Sequence, residues 1–219
     1  MSKFKSLIVG LLLMVAFVIA PSIATTAGQS QEVIQLQGDN VLIFDQEINI
    51  NTTDVFIAAL VGKRMLLDES KTLYVLLVSP GGDFAQAKIM KYMLASVPNV
   101  AIICKACNSA AGYLLATGVK RIVIKKSTMA MHEVFMTHFT AKMLDKPNVG
   151  VSLKKQSDEF NKAMYSVIGI SKEAYEEKIT EKVWTLTGED ILKHHLADKF
   201  VTLQCNDYMK ALAPDTCSQ

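Results

Sequence analysis

After an unbroken apolar run from Leu7 to Ala20, the chain breaks into short apolar segments separated by polar stretches. Gln29 to Gly38 is polar and reads as a loose lead-in. Val41 to Phe44 is a short apolar strand and Glu47 to Asn51 a turn. Thr52 or Thr53 stands where a cap would start a helix running to about Leu67, with Val55, Ala58 and Ala59 at helical spacing. Leu73 to Val78 is continuously apolar, as a strand buried on both faces of a parallel sheet requires. Ser79-Pro80-Gly81-Gly82-Asp83 interrupts it, and a helix is predicted from about Phe84 to Ala95, with Ile89, Met90, Met93 and Leu94 inward. Val100 to Cys104 is a further strand. Asn108-Ser109 leads into an alanine-rich helix, Ala110 to Thr117, closed by Gly118, and Arg121 to Ile124 is the next strand. Beyond His132, Ser152 to Tyr175 is long, charged and helical, with Leu153, Phe160, Met164 and Val167 as its apolar stripe. Glu189 to His195 is a shorter helix capped by Thr187 or Gly188. Strands alternating with helices predict an α/β fold with a mostly parallel sheet.

Length and charge narrow the picture. The chain has 219 residues, enough for one domain of about 100 to 200 residues with a leader or tail. Half of it is hydrophobic, which excludes global disorder, a collagen-like repeat and a disulfide-stapled miniprotein. Lys3 and Lys5 precede the apolar run and Pro21 ends it. Ser22-Ile23-Ala24 and Thr25-Thr26-Ala27 both fit small-x-small cleavage sites, so residues 1–27 have the order of a secretory signal peptide. The alternative is a membrane anchor made by the same segment, although the run is short for a span of about 20 residues. The lead-in then covers residues 28–39, the folded domain 40–203 and a C-terminal tail 204–219. Without Lys3 and Lys5 the chain balances 21 basic against 21 acidic residues, leaving no electrostatic reason to seek nucleic acid or an anionic membrane.

The four cysteines fit export. Cys205 and Cys217 bracket the short polar tail, and a disulfide between them would close it. Cys104-Lys-Ala-Cys107 ends an apolar run instead of opening a helix, a poor match to a redox motif. No second close ligand pair accompanies it, so zinc is not expected. The two readings left are a local disulfide and a pair of half-buried thiols.

Three elements carry candidate chemistry. Adjacent glycines in Ser79-Pro80-Gly81-Gly82 let backbone approach a ligand, though such turns are common. Ser109 falls at a helix N-terminus, where free N–H groups stabilise an oxyanion, and is equally well placed as a simple helix cap. His132 follows an apolar alternation at a strand end, a position open to a base and to a satisfied core histidine. His138, His194 and His195 lie in polar settings and read as surface residues. A metal held by His132 and His138 has little to recommend it.

Taken together the three resemble one family. Ser79-Pro-Gly-Gly82, then Ser109-Ala-Ala-Gly112 27 residues beyond Gly82, then His132 23 residues after the serine, are similar to the ClpP-type serine peptidases of the ClpP/crotonase superfold. The likeness runs from about Asn40 to Val201, and Trp184-Thr-Leu-Thr-Gly-Glu-Asp190 through Asp198 resembles the family's late Phe-Leu-Ser-Ala segment. It implies repeated β-β-α units, a mostly parallel sheet and a protruding long helix. It implies Ser109 as nucleophile, His132 as general base, and the backbone N–H groups of Gly82 and Ala110 as oxyanion hole. It also implies a peptide or unfolded-protein substrate, a homo-oligomer packed through the long helix, and no cofactor or metal.

The resemblance departs from the family in two places. The family's third triad residue is an Asp, and gapless matching sets Lys178 there. Lysine cannot accept the imidazole N–H, which leaves Glu177 or Glu181 after a register change, or a backbone carbonyl. The leader is the second departure. The family works with cytosolic ATP-driven unfoldases, which an exported chain would not meet, so no unfoldase partner is expected. Three alternatives remain: a Ser/Lys-dyad protease resembling signal peptide peptidase A, with Lys142 or Lys146 as base; an inactive ClpP-fold interaction protein, with Lys178 as its cause; and an acyl-CoA enzyme of the crotonase type.

Overall fold

The three central strands arise from the three apolar runs. The computed structural model describes residues 32–133, 147–180 and 182–217. Strands β1 (Glu32–Leu36), β2 (Val41–Phe44), β3 (Leu73–Ser79), β4 (Val100–Cys107), β5 (Arg121–Met131), β6 (Trp184–Thr187) and β7 (Lys199–Cys205) form one sheet. Its order is β1-β7-β5-β4-β3-β2, and β6 pairs the far end of β5. Every pairing is parallel except β5 with β6. The chain is thus mixed α/β with a mostly parallel sheet, as the alternation of elements predicts.

The helices are α1 (Ile50–Leu66), α2 (Phe84–Ser96), α3 (Ala110–Ala116), α4 (Pro147–Ile168), α5 (Lys172–Ile179), α6 (Gly188–Lys193), α7 (Asp207–Leu212) and α8 (Pro214–Cys217). One face of the sheet meets most of them. Leu73, Val75 and Leu77 of β3 join Phe56, Leu60, Met90, Leu94, Leu114, Phe160 and Met164 in the larger core cluster. The opposite face, with Ile34, Leu36, Leu76, Ile103 and Val201, is covered in part by Met209 of α7. The period of two along β3 therefore sorts its side chains between two cores, and the run is apolar because both are dry.

Several boundaries differ from those predicted. The lead-in is ordered from Glu32: β1 pairs in register with β7, Ile34 and Leu36 point inward, and Val33 is left exposed. Its outward Glu32 and Gln35 make the segment read as polar. Helix α1 is capped by Asn49, whose Oδ1 accepts from the N–H of Asn51 and Thr52; Thr52 Oγ1 accepts the Asn49 N–H in return. The helix expected over 152–175 is two helices, because Gly169 takes a positive φ of 75° and Ser171 starts α5 with its own cap. The tail is structured too. Cys205 ends β7, Asn206 caps α7, and a disulfide joins Cys205 to Cys217. No described helix is long and apolar enough to cross a membrane.

One charged contact joins the two halves of the sheet. Arg121, the first residue of β5, donates from Nε and backbone N to Asp198, and from Nη1 to the carbonyls of Ala116 and His195, each at 2.8–3.0 Å. Burial alone would raise the Asp198 carboxyl, but the hydrogen bonds from Arg121 hold it below the usual carboxylate range.

Candidate active site

Strands β3, β4 and β5 are parallel neighbours, so their carboxyl ends lie at one edge of the sheet. Ser79-Pro80-Gly81-Gly82 follows β3, Asn108-Ser109 follows β4 and His132 follows β5. Segments separate in sequence thus arrive together at the edge where open parallel sheets bind ligands.

The turn after β3 is built around glycine. Gly81 has φ 96°, and a Cβ there would stand 2.5 Å from Asn108 O and 2.7 Å from Ser109 Cβ. Gly82 has φ 138°, and its Cβ would stand 2.2 Å from Ile48 O. Neither position tolerates a side chain without backbone movement. Ile48 clamps the turn by donating to Gly81 O and accepting from the Asp83 N–H, at 2.7 and 2.8 Å. Ser79 Oγ donates to Gln46 O and accepts the Gly81 N–H.

The turn after β4 is fastened on both sides. Asn108 N–H donates to Ser79 O at 3.0 Å, and Ser109 N–H donates to Ala130 O at 2.7 Å. The Asn108 side chain accepts the Ala130 N–H at 3.0 Å. Between these bonds Ser109 is held at φ 53° and ψ −122°, a conformation unusual for a residue with a Cβ. Its side chain makes no capping bond to α3, which removes the simple helix-cap reading. The backbone N–H groups of Gly82 and Ala110, on the two turns that flank Ser109, donate to no group among the described residues. They are available to an oxyanion.

His132 is half-buried at the end of β5, and its Nδ1 is hydrogen-bonded to the backbone carbonyl of Glu133. A carbonyl oxygen only accepts, so Nδ1 is the donor in this contact.

An aromatic wall packs against Met131, the residue before His132. Met131 pairs Trp184 across β5 and β6, and the buried Tyr175 directs its hydroxyl at Met131 Sδ. Burial pushes the Tyr175 phenol well above its ordinary value, so it stays neutral. Lys178 holds Nζ 4.7 Å from the Trp184 ring centroid, and His194 packs edge-on to the same ring at 5.3 Å. His194 is accordingly half-buried and not a plain surface residue. Burial, then the charges of Lys193 and Lys178, hold its imidazole below the ordinary value.

Of the predicted site residues, Gly82, Ser109, Ala110 and His132 come to the one sheet edge. Lys178 reaches its aromatic wall and Glu177 is exposed. Glu181, His138, Lys142 and Lys146 lie outside the described residues. Among the described residues no group of three or more His, Cys, Asp or Glu is placed to hold a metal. The sequence reading picked out Gly81 with Gly82 as a glycine pair but gave Asn108 and Trp184 no part in the site; their roles are backbone clamping and packing. Only the Asn immediately before the serine offered a cue, as a residue prone to bond nearby backbone.

A family model described as Clp protease matches residues 25–204. The chain belongs to the Clp protease family. Members of the Clp protease family are oligomeric peptidases that act on peptide substrates, and the match agrees with the mixed α/β fold and its mostly parallel sheet. No curated protein matches the chain.

Proposed function

We propose that this member of the Clp protease family is a serine endopeptidase working through a Ser109–His132 pair. The observation that carries the reading is Ser109 itself: a serine with positive φ at a helix N-terminus, making no cap, with unpaired N–H groups on the turns either side. Ser109 Oγ attacks the substrate carbonyl while His132 Nε2 takes its proton. The oxyanion forms against the N–H groups of Gly82 and Ala110, each worth about 3 to 4 kcal/mol of transition-state stabilisation. His132 returns the proton to the leaving amine, and water repeats the sequence on the acyl-enzyme.

The Glu133 carbonyl takes over the orienting task of a triad carboxylate. It sets the tautomer, whose loss costs about 10⁴ in rate in a serine protease triad. It brings no formal negative charge to stabilise the imidazolium, so the enzyme is expected to be slow. Export is part of the proposal: residues 1–27 direct the chain out of the cytoplasm and are removed, or remain as an anchor. Its support is the order of charge, apolar run and small residues, together with the pairing of all four cysteines, two by two. Such a chain would degrade short or unfolded peptides as a homo-oligomer without an ATPase.

Lys178 favours a second reading, an inactive interaction protein, since an ammonium on Trp184 stands at the position of the family's carboxylate. A fluorophosphonate probe separates the two. Exposed to the leaderless protein beside Ser109→Ala and His132→Ala, it should add one adduct by intact mass to the parent alone. An adduct that survives His132→Ala would shift the base to a lysine such as Lys142 or Lys146. A folded parent that never labels would leave the scaffold reading standing.

A further inference from the structure

Cys104 and Cys107 are three positions apart on β4 and joined by a disulfide. On a regular strand, residues three apart point to opposite faces. β4 breaks its alternation at one place. Across β3, Leu77 pairs Cys104 and Val78 pairs Ala106; across β5, Cys104 pairs Val123 and Ala106 pairs Thr128. Against β3, Lys105 is the one extra residue, the mark of a β-bulge in β4; against β5 the same step skips Lys105 on β4 and residues 124–127 on β5. Ahead of it, Ile102 and Cys104 face the larger core and Ala101 and Ile103 the smaller one. Unbroken alternation would send Cys107 to the smaller core, yet it lies in the larger one, with Ala110 and Ala111 following on the same side. The extra residue turns the end of β4 over, and that is what delivers Ser109 and α3 to the helical face.

We propose that the Cys104–Cys107 disulfide is a positioning element for Ser109, locking the Lys105 bulge and so the turn that carries the serine. Both cysteines are fully buried and straddle the bulge. The three bonds that tie the turn to β3 and β5, from Asn108 N–H to Ser79, from Ser109 N–H to Ala130 and from Ala130 N–H to the Asn108 side chain, involve Asn108 and Ser109, downstream of it. Sliding the bulge by one residue would break all three together and release Ser109 from its left-handed conformation. The bond between the sulfurs prevents that slide. Cys205–Cys217, at the far end of the chain, has no such link to the turn.

The proposal depends on the serine-peptidase reading only for its activity measurement, so the test uses two readouts. In a Cys205→Ala/Cys217→Ala background one disulfide remains. Dithiothreitol reduces it, giving two electrons and two protons to the sulfurs and leaving as its own cyclic disulfide. Hydrogen exchange is then followed at the Ser109 amide, and labelling of Ser109 by a fluorophosphonate is timed, in the oxidised, reduced and reoxidised protein. Cys104→Ala/Cys107→Ala in the otherwise unaltered chain repeats the comparison with the tail disulfide intact. Breaking the bond should speed exchange at Ser109 by roughly tenfold or more while the Ile102 amide, ahead of the bulge, keeps its protection. Labelling should slow by roughly the same factor, and reoxidation should restore both. Unchanged exchange at Ser109, or equal acceleration at Ile102, would overturn the proposal, the second by reducing the disulfide to a general stabiliser. If exchange responds as expected but no form labels, the positioning role stands and the peptidase reading falls. Strong labelling that ignores the redox state gives the reverse.

Discussion

Ser109 donates its backbone N–H to the carbonyl oxygen of Ala130 across 2.7 Å, two residues ahead of His132. The nucleophile's turn and the strand that ends in the histidine are therefore one hydrogen-bonded unit. Their spacing is set by backbone pairing, which varies less than side-chain contact. The same bond keeps Ser109 at φ 53°, and its strain and its placement have a common origin.

That strain is testable. Ser109→Gly removes the Cβ penalty and is expected to stabilise the fold by about 1 kcal/mol, or about 2–4 °C in melting temperature, while abolishing probe labelling. Ser109→Ala should abolish labelling with no such gain, because alanine keeps the Cβ. Calorimetry of the three proteins checks this. A Gly variant no more stable than the Ala variant would mean that the turn is relaxed.

Gly82→Ala should be far more damaging than a surface substitution. Its Cβ meets Ile48 O at 2.2 Å in a backbone conformation that L-residues rarely adopt. Destabilisation above about 1 kcal/mol is expected, with Ser109 labelling falling by about 10² or more as the oxyanion donor moves. Urea unfolding beside labelling rates measures both, and a variant with parental values would remove Gly82 from the site.

Lys178→Asp should raise activity. The change removes a cation–π contact with Trp184, a loss of about 0.5–1 kcal/mol, and offers an acceptor at the position that the family resemblance assigns to the third triad residue. An anion beside the imidazolium should quicken labelling by about tenfold or more. Removing the Lys178 charge also relieves one of the causes that lower His194, whose imidazole should titrate higher by NMR. A faster enzyme would identify the missing charge as the rate defect. Unaltered labelling with a shifted His194 would show that position 178 serves only the aromatic wall.

The Arg121–Asp198 contact predicts an acid limb. The Asp198 carboxyl is lowered in the folded state, so the unfolded chain takes up its proton first as pH falls. The stabilisation is complete above the unfolded value of about 4 and disappears as the pH drops through the lowered folded value. Asp198→Asn should therefore lower the urea midpoint at pH 7, with the gap to the parent closing below about pH 4. A gap that stays constant with pH would place the contribution in hydrogen bonding instead of charge.

Much of the architecture could be read in one dimension. Leu73–Ser79, Val100–Cys104 and Arg121–Ile124 announce themselves as doubly buried strands because both faces of the sheet are dry, and period and composition report that directly. Helix α2 is equally plain, with Asp83 as its cap. The strands β1, β6 and β7 are not plain, because each alternates or is short and borrows its stability from a partner distant in sequence. Glu32 finds its place only beside Val201. The cap of α1 is Asn49 and not Thr52 or Thr53 because Ile48 is already committed to the Gly82 turn.

The site divides along the same line. Residue identities and spacing, Gly81-Gly82, Ser109-Ala110 and His132, are local properties that the sequence determines by itself, and they suffice to point to one family. Which of them meet, and in what state, belongs to the tertiary structure. The parallel register of β3, β4 and β5 brings the three ends together. The Lys105 bulge turns Ser109 to the helical face, and the Glu133 carbonyl takes a hydrogen bond from the His132 ring. These are long-range or backbone effects. A backbone carbonyl and a skipped register position carry no side-chain identity, so no pattern of residues encodes them until the strands have paired.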